Sequence, residues 1–221
     1  MISSAQLIYD TSGDIVTSSN AYYLMPVSRG SGGGFNIAAV QDYHTRCPYY
    51  SVVQSPHDRC GSYFGLPVKF SRSSTSTTAD SNHQEVNVTL STDFTINFST
   101  YTPHAPRYCD QPTTMWNMVS RGGSGDDMSV ELGMVHFGGL NHDDDDDDND
   151  DDDDRQSSLF KIVKNKAYGY RLRFCPSNSN SSALKDVVCG DLAPVYDRRL
   201  GVRVLRLVDS KSPAMIMFHK A

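Results

Sequence analysis

No stretch of this 221-residue chain approaches the ~20 consecutive apolar residues that a membrane-spanning helix needs. No long segment repeats its apolar residues at the helical period either. There is no Cys-x-x-Cys pair and no Cys/His cluster at zinc spacing, which removes a structural zinc site. The seven histidines, at positions 44, 57, 83, 104, 136, 142 and 219, are scattered without paired spacing, so neither a metal nor a cofactor is expected. A Gly-x-Ser-x-Gly elbow is missing, and His57-Asp58 among many serines does not make a catalytic triad. An enzyme is therefore not expected. The basic segment Arg198 to Arg206 alternates charged with apolar residues, as a half-buried strand does, and carries no aromatic stacking platform for nucleic acid.

What is present fits one domain of short strands. Gly, Ser, Thr, Asn and Asp are abundant, 38% of residues are hydrophobic, and the length allows a real core but hardly two of them. The formal net charge of −6 conceals two parts. Eleven aspartates stand in one block, Asp143 to Asp154, broken only by Asn149; without them the balance is −6 + 11 = +5. A mildly basic body thus carries a separate acidic insertion, residues 142–156, expected to be a disordered loop because its charges repel and nothing in it can be buried. Carboxylates at such density gather Ca²⁺ only as loose counter-ions, since the run has no turn-forming glycine to fix a site.

Strand signals recur from end to end: Ala5–Tyr9, Ala21–Val27, Ser51–Gln54, Glu85–Leu90, Asp93–Phe98, Phe160–Val163, Tyr168–Phe174, Val202–Leu207 and Met215–Phe218. In Glu85–Leu90, Val86, Val88 and Leu90 share one face; in Asp93–Phe98 the inward set is Phe94, Ile96 and Phe98. That alternation turns Asn87 and Asn97 outward. Both open glycosylation sequons, as does Asn180, and the three together suit an oxidising, secretory compartment. Asp10 to Asp14 reads as a turn, and Gly30-Ser31-Gly32-Gly33-Gly34 as a flexible connection. Ser71 to Asn82 is nearly all Ser, Thr, Asp and Asn and reads as an exposed loop. Trp116 and Tyr49-Tyr50 either line a ligand pocket or plug the core. Five cysteines, with Cys60 among them, allow two disulfides and one leftover thiol. Met1-Ile2-Ser3 reads as the start of a mature chain.

Several motifs, in order along the chain, resemble the Kunitz-type plant protease inhibitors (the soybean trypsin inhibitor family, with its miraculin-like relatives). They are Asp10-x-x-Gly13-Asp14 with Tyr22-Tyr23-Leu24, then Arg46-Cys47-Pro48, then Gly65-Leu66-Pro67-Val68-Lys69-Phe70. Farther on stand Tyr170-Arg171-Leu172-Arg173-Phe174-Cys175-Pro176 and Cys189-Gly190-Asp191. The resemblance implies an all-β fold, a β-trefoil of twelve strands in three pseudo-repeats, with a six-stranded barrel capped by hairpins. It also implies disulfides Cys47–Cys109 and Cys175–Cys189, leaving Cys60 unpaired or bridging a dimer.

The resemblance further implies a protease-binding loop between the fourth and fifth strands, here residues 71–85, and a serine endopeptidase as partner. Counting from Gly65 puts the primary contact near Thr75, and counting back from Phe98 puts it near Gln84. Candidate contacts are therefore Arg72, Ser73, Ser74 and Thr75 at one end and His83, Gln84 and Glu85 at the other; Arg72 is the loop's only Arg or Lys. Family loops are held from within by an Asn on the first turn, whereas the matching position here is Ser18, with Asn20 two residues on. The expected role is inhibition by a secreted or vacuolar monomer without membrane or nucleic-acid partners. The alternative is a storage, taste-modifying or small-ligand-binding trefoil.

Overall fold

A computed structural model describes residues 6–28, 30–41, 46–55, 64–72, 85–120, 128–135, 158–165, 168–175, 189–208 and 213–221. These form twelve strands: β1 Tyr22–Pro26, β2 Phe35–Gln41, β3 Pro48–Gln54, β4 Val68–Arg72, β5 Asp93–Phe98 and β6 Gln111–Ser120 in the first half. The second half holds β7 Met128–Val135, β8 Phe160–Lys164, β9 Tyr170–Phe174, β10 Gly190–Asp197, β11 Val202–Val208 and β12 Ile216–Lys220.

The pairings close two rings. Antiparallel neighbours β1–β4, β4–β5, β5–β8, β8–β9, β9–β12 and β12–β1 complete a six-stranded barrel. The remaining strands form hairpins β2–β3, β6–β7 and β10–β11, which join one another through β3–β7, β7–β11 and β11–β3. Each third of the chain thus runs barrel strand, hairpin, barrel strand, the arrangement of a β-trefoil.

Side-chain alternation explains the barrel. Along β5 every second residue is buried, and Phe94, Ile96 and Phe98 point in, as their period-two spacing requires. Tyr22 and Leu24, Val68 and Phe70, Phe160 and Ile162, Leu172 and Phe174, and Ile216 and Phe218 complete the lining. The hairpins obey a different rule. From Tyr50 to Gln54, β3 is buried at every residue, because it meets both the barrel end and its sister hairpins. Trp116, fully buried, plugs the junction with its ring centroid 5.3 Å from Phe98 and 6.0 Å from Phe35. Tyr50 is buried as well and donates its hydroxyl to the His104 carbonyl, so burial raises its pKa. Trp116 and Tyr50 therefore serve the core.

Local details depart from the strands expected above. Residues 6–9 and 85–90 are not ladders: Leu7 bridges Thr89, Tyr9 bridges Ile15 and Thr17 bridges Asn87, each as an isolated pair, while Ile8 and Val88 are fully buried in the core. Arg72, expected in a loop, is the last residue of β4 and pairs in register with Phe94. The Gly30–Gly34 connection is pinned: Gly33 N–H donates to the Ser55 carbonyl at 2.8 Å, and Ser55 N–H to the Gly34 carbonyl at 2.9 Å. The Asp10 turn forms as expected, its Oδ1 accepting from Ser12 and Asp14 N–H, with Gly13 at φ +88°.

Both expected disulfides are present, Cys47–Cys109 and Cys175–Cys189. Their sequence separations are 62 and 14 residues. Loop-closure entropy at those lengths gives about 4 and about 3 kcal/mol. Removing the longer bridge by the double change Cys47→Ser, Cys109→Ser is thus expected to lower unfolding free energy by about 4 kcal/mol in a denaturant titration, more than removing the shorter one. Cys60, Asn180 and the acidic run Asp143–Asp154 lie outside the described residues, the last of these between β7 and β8.

Candidate functional site

The chain is fixed on both sides of residues 73–84. On the entry side, Val68 through Arg72 pair residue by residue with Phe98 through Phe94, and Arg72 is exposed at the ladder's end. On the exit side the first turn holds the chain. Ser18 N–H donates to the Val86 carbonyl at 2.9 Å, and Val86 N–H donates to Ser18 Oγ at 3.0 Å. Ser19 Oγ donates to Glu85 Oε1 at 2.5 Å, and Val88 N–H to the Val16 carbonyl at 2.8 Å.

Ser18 thus grips the loop's exit, where the family resemblance implies an asparagine reaching into the loop. Asn20 does not replace it: its amide donates to Thr17 Oγ1 at 2.9 Å and stiffens the turn itself. The Ser18 grip was not foreseen from sequence, since serines are common here and only the fold brings residues 18 and 86 together. Of the predicted contacts, Arg72 and Glu85 mark the two ends of the loop, whereas Ser73, Ser74, Thr75, His83 and Gln84 lie outside the described residues.

Glu85 is fully exposed, yet its carboxyl is held below its ordinary range, first by the Ser19 hydroxyl, then by Thr17, with the Lys220 charge assisting. A carboxylate with a lowered folded-state pKa stabilises above its unfolded value, and that contribution disappears as pH falls through the folded pKa. The exit should therefore loosen in acid, and Glu85→Gln should remove that pH dependence. Ser18→Ala should raise local opening at Val86 about fivefold, the factor for ~1 kcal/mol of a lost hydrogen bond. Amide hydrogen exchange at Val86 between pH 3 and pH 7 (about the window in which carboxyl groups titrate) measures both effects.

Elsewhere, Asn87 is exposed and Asn97 half-buried, so the outward reading of the first stands fully and that of the second in part. Among the described residues no group of three or more His, Cys, Asp or Glu is placed to hold a metal ion, and no helix is long and apolar enough to cross a membrane.

A β-trefoil anchored on both sides of residues 73–84 has the architecture of a class of binding protein. A family profile described as "Trypsin and protease inhibitor", the legume Kunitz family, matches residues 8–220, and the chain belongs to that family. Kunitz trypsin inhibitor 4 of Arabidopsis thaliana is 31% identical over 202 residues, which cover 91% of this chain and 76% of the relative. Miraculin of Synsepalum dulcificum is 29% identical over 218 residues, 96% of this chain and 82% of the relative. Among solved structures, soybean trypsin inhibitor in its complex with porcine pancreatic trypsin superposes with a TM-score of 0.62 at 18% identity, covering 97% of this chain and 99% of that one, a likeness of fold.

Proposed function

We propose that the chain inhibits a serine endopeptidase by presenting residues 71–85 to its cleft. The observation that carries this reading is the double anchorage of the loop, by the β4–β5 ladder at one end and the Ser18–Val86 pair of hydrogen bonds at the other. Fixing the ends of a substrate-like segment before binding lowers the ordering cost that association must otherwise meet. The inhibitor relatives support it, as does a similar fold found in complex with trypsin. Its role is binding, not catalysis. The same reading makes it a secreted or vacuolar monomer, glycosylated at Asn87, Asn97 and Asn180, with Asp143–Asp154 a dispensable insertion and Cys60 a free thiol or a dimer bridge.

Trypsin carries a carboxylate in its primary pocket, and Arg72 is the loop's only side chain that matches it. Arg72 is committed to a strand ladder, and the polar residues after it must be ordered on binding. Trypsin inhibition is therefore expected to be weak or absent, with any activity lost in Arg72→Ala. A progress-curve assay decides this. Tight inhibition surviving Arg72→Ala moves the contact to His83-Gln84-Glu85 or another face. The second reading, a storage or taste-modifying trefoil, draws on the miraculin relative and is favoured if no protease of any class is inhibited.

A further inference from the structure

Arg203 of β11 stands opposite Gln54 of β3 in the register that joins two hairpins of the cap. Its Nη1 donates to the Ser31 carbonyl at 3.0 Å and lies 3.4 Å from Gln54 Oε1. Gln54 is 4% exposed, and its Nε2 donates to the Gly33 carbonyl at 3.2 Å. The glycines make this possible. Gly32 sits at φ +106°, and a Cβ there would come within 2.6 Å of the Gln54 amide. The segment 30–34 therefore lies down over Gln54 and fixes the Arg203 guanidinium through it.

Nη1 thus faces two acceptors, and among the described residues Nε and Nη2 of Arg203 meet no acceptor and no carboxylate pairs with it. These two nitrogens form the edge that a carboxylate grips with two parallel hydrogen bonds. Two cavities flank this guanidinium and share Gln54 and Arg203. One, of about 260 Å³, is walled by Pro26, Phe35, Pro194, Pro213 and Met215; the other, of about 300 Å³, by the Gly30–Gly32 backbone, Tyr196 and Val202. Among the described residues neither is lined by an acidic side chain, so none of them opposes the Arg203 charge at the cavity walls.

We propose that the Arg203 cavities bind a small amphipathic carboxylate, with the acid group on the Nε/Nη2 edge and an aromatic or branched apolar body against the proline and methionine wall. Their size, at or below the ~300 Å³ lower end for ligand pockets, limits the occupant to a compact molecule. Among the described residues, neither end of the 71–85 segment, Arg72 or Glu85, lines these cavities.

Titration of the full-length protein with 2-naphthoate, followed by the ligand's own fluorescence, tests this. Saturable one-to-one binding is expected, weakened about tenfold in 2-naphthalenemethanol, which keeps the body and loses the charge. Arg203→Gln should weaken 2-naphthoate at least as much, and Arg203→Lys should fail to restore it, since an ammonium lacks the two-pronged edge. Amide and arginine Nε–H shift perturbations in the wild-type protein, centred on Gly33, Gln54 and Arg203, give a readout that needs no variant to fold. Absence of saturation at millimolar 2-naphthoate, equal binding of acid and alcohol, or perturbations centred elsewhere would overturn the assignment.

Discussion

Trp116→Ala is expected to cost about 3–5 kcal/mol of unfolding free energy, the range for emptying a large aromatic from a closed core. The indole is fully buried and makes aromatic contacts with Phe35, Phe98 and Phe160, at 6.0, 5.3 and 6.5 Å between centroids. Those three residues come from β2, β5 and β8, so one side chain joins a cap hairpin to two barrel strands. Collapse into the void is opposed by the closed ring of strands, which places the expected loss toward the upper part of the range. Trp116→Phe should cost less than half as much. Among the described residues the indole N–H meets no acceptor, so against them a phenyl ring forfeits area but no hydrogen bond. Chemical denaturation of both variants, with unchanged denaturant slope, checks the pair.

The second large effect is expected at Asp191. Its side chain is wholly buried between two guanidiniums, with Oδ2 2.8 Å from Arg171 Nη1 and Oδ1 2.8 Å from Arg173 Nε. The contact ties β9 to β10, where Asp191 pairs in register with Arg173. Hydrogen bonding to Asp191 raises the Arg173 pKa further, so the guanidinium stays charged across all working pH. Asp191→Ala leaves two cations facing each other with no counter-charge. Breaking a buried pair costs about 3–5 kcal/mol. The arginine side chains remain 20% and 29% exposed, so water offsets part of this, and a loss of about 2–4 kcal/mol is expected. Asp191→Asn should lose less, because the amide oxygen still accepts one hydrogen bond. Thermal unfolding in low and high salt separates the charge component from the packing component.

These residues show what was legible in the sequence. Arg171-Leu172-Arg173 and Cys189-Gly190-Asp191 were visible as family motifs, but only the fold explains them as one ion cluster beside the second disulfide. Gly190 fits the same corner, since a Cβ there would lie 2.8 Å from Leu207. The barrel strands β5, β8 and β9 could be read directly, because one face of each meets the core and the other does not. The cap strands β2, β6 and β10 could not. Their burial does not follow period two: β10 is buried at four consecutive residues, β2 only at Phe35 and Val40, and β6 shifts register between Pro112 and Trp116. Near the candidate site, counting from motifs gave Thr75 and Gln84, and Arg72 stood out as the segment's only basic residue, although it proved to end a strand. Ser18 was noted only as a missing asparagine, because a hydrogen bond across 68 residues leaves no local pattern.

The central claim is that the 71–85 segment is the protease-binding element of this Kunitz-family chain. The most direct test is incubation with trypsin, chymotrypsin and subtilisin, followed by mass spectrometry of the isolated complex to find which inhibitor bond the protease attacks. The account predicts a one-to-one complex with at least one of these proteases and a single susceptible bond between Arg72 and Glu85. It also predicts that complex formation is lost when residues 73–84 are exchanged for a Gly/Ser segment of equal length. Inhibition that survives this exchange, or a susceptible bond on any other loop, would contradict it.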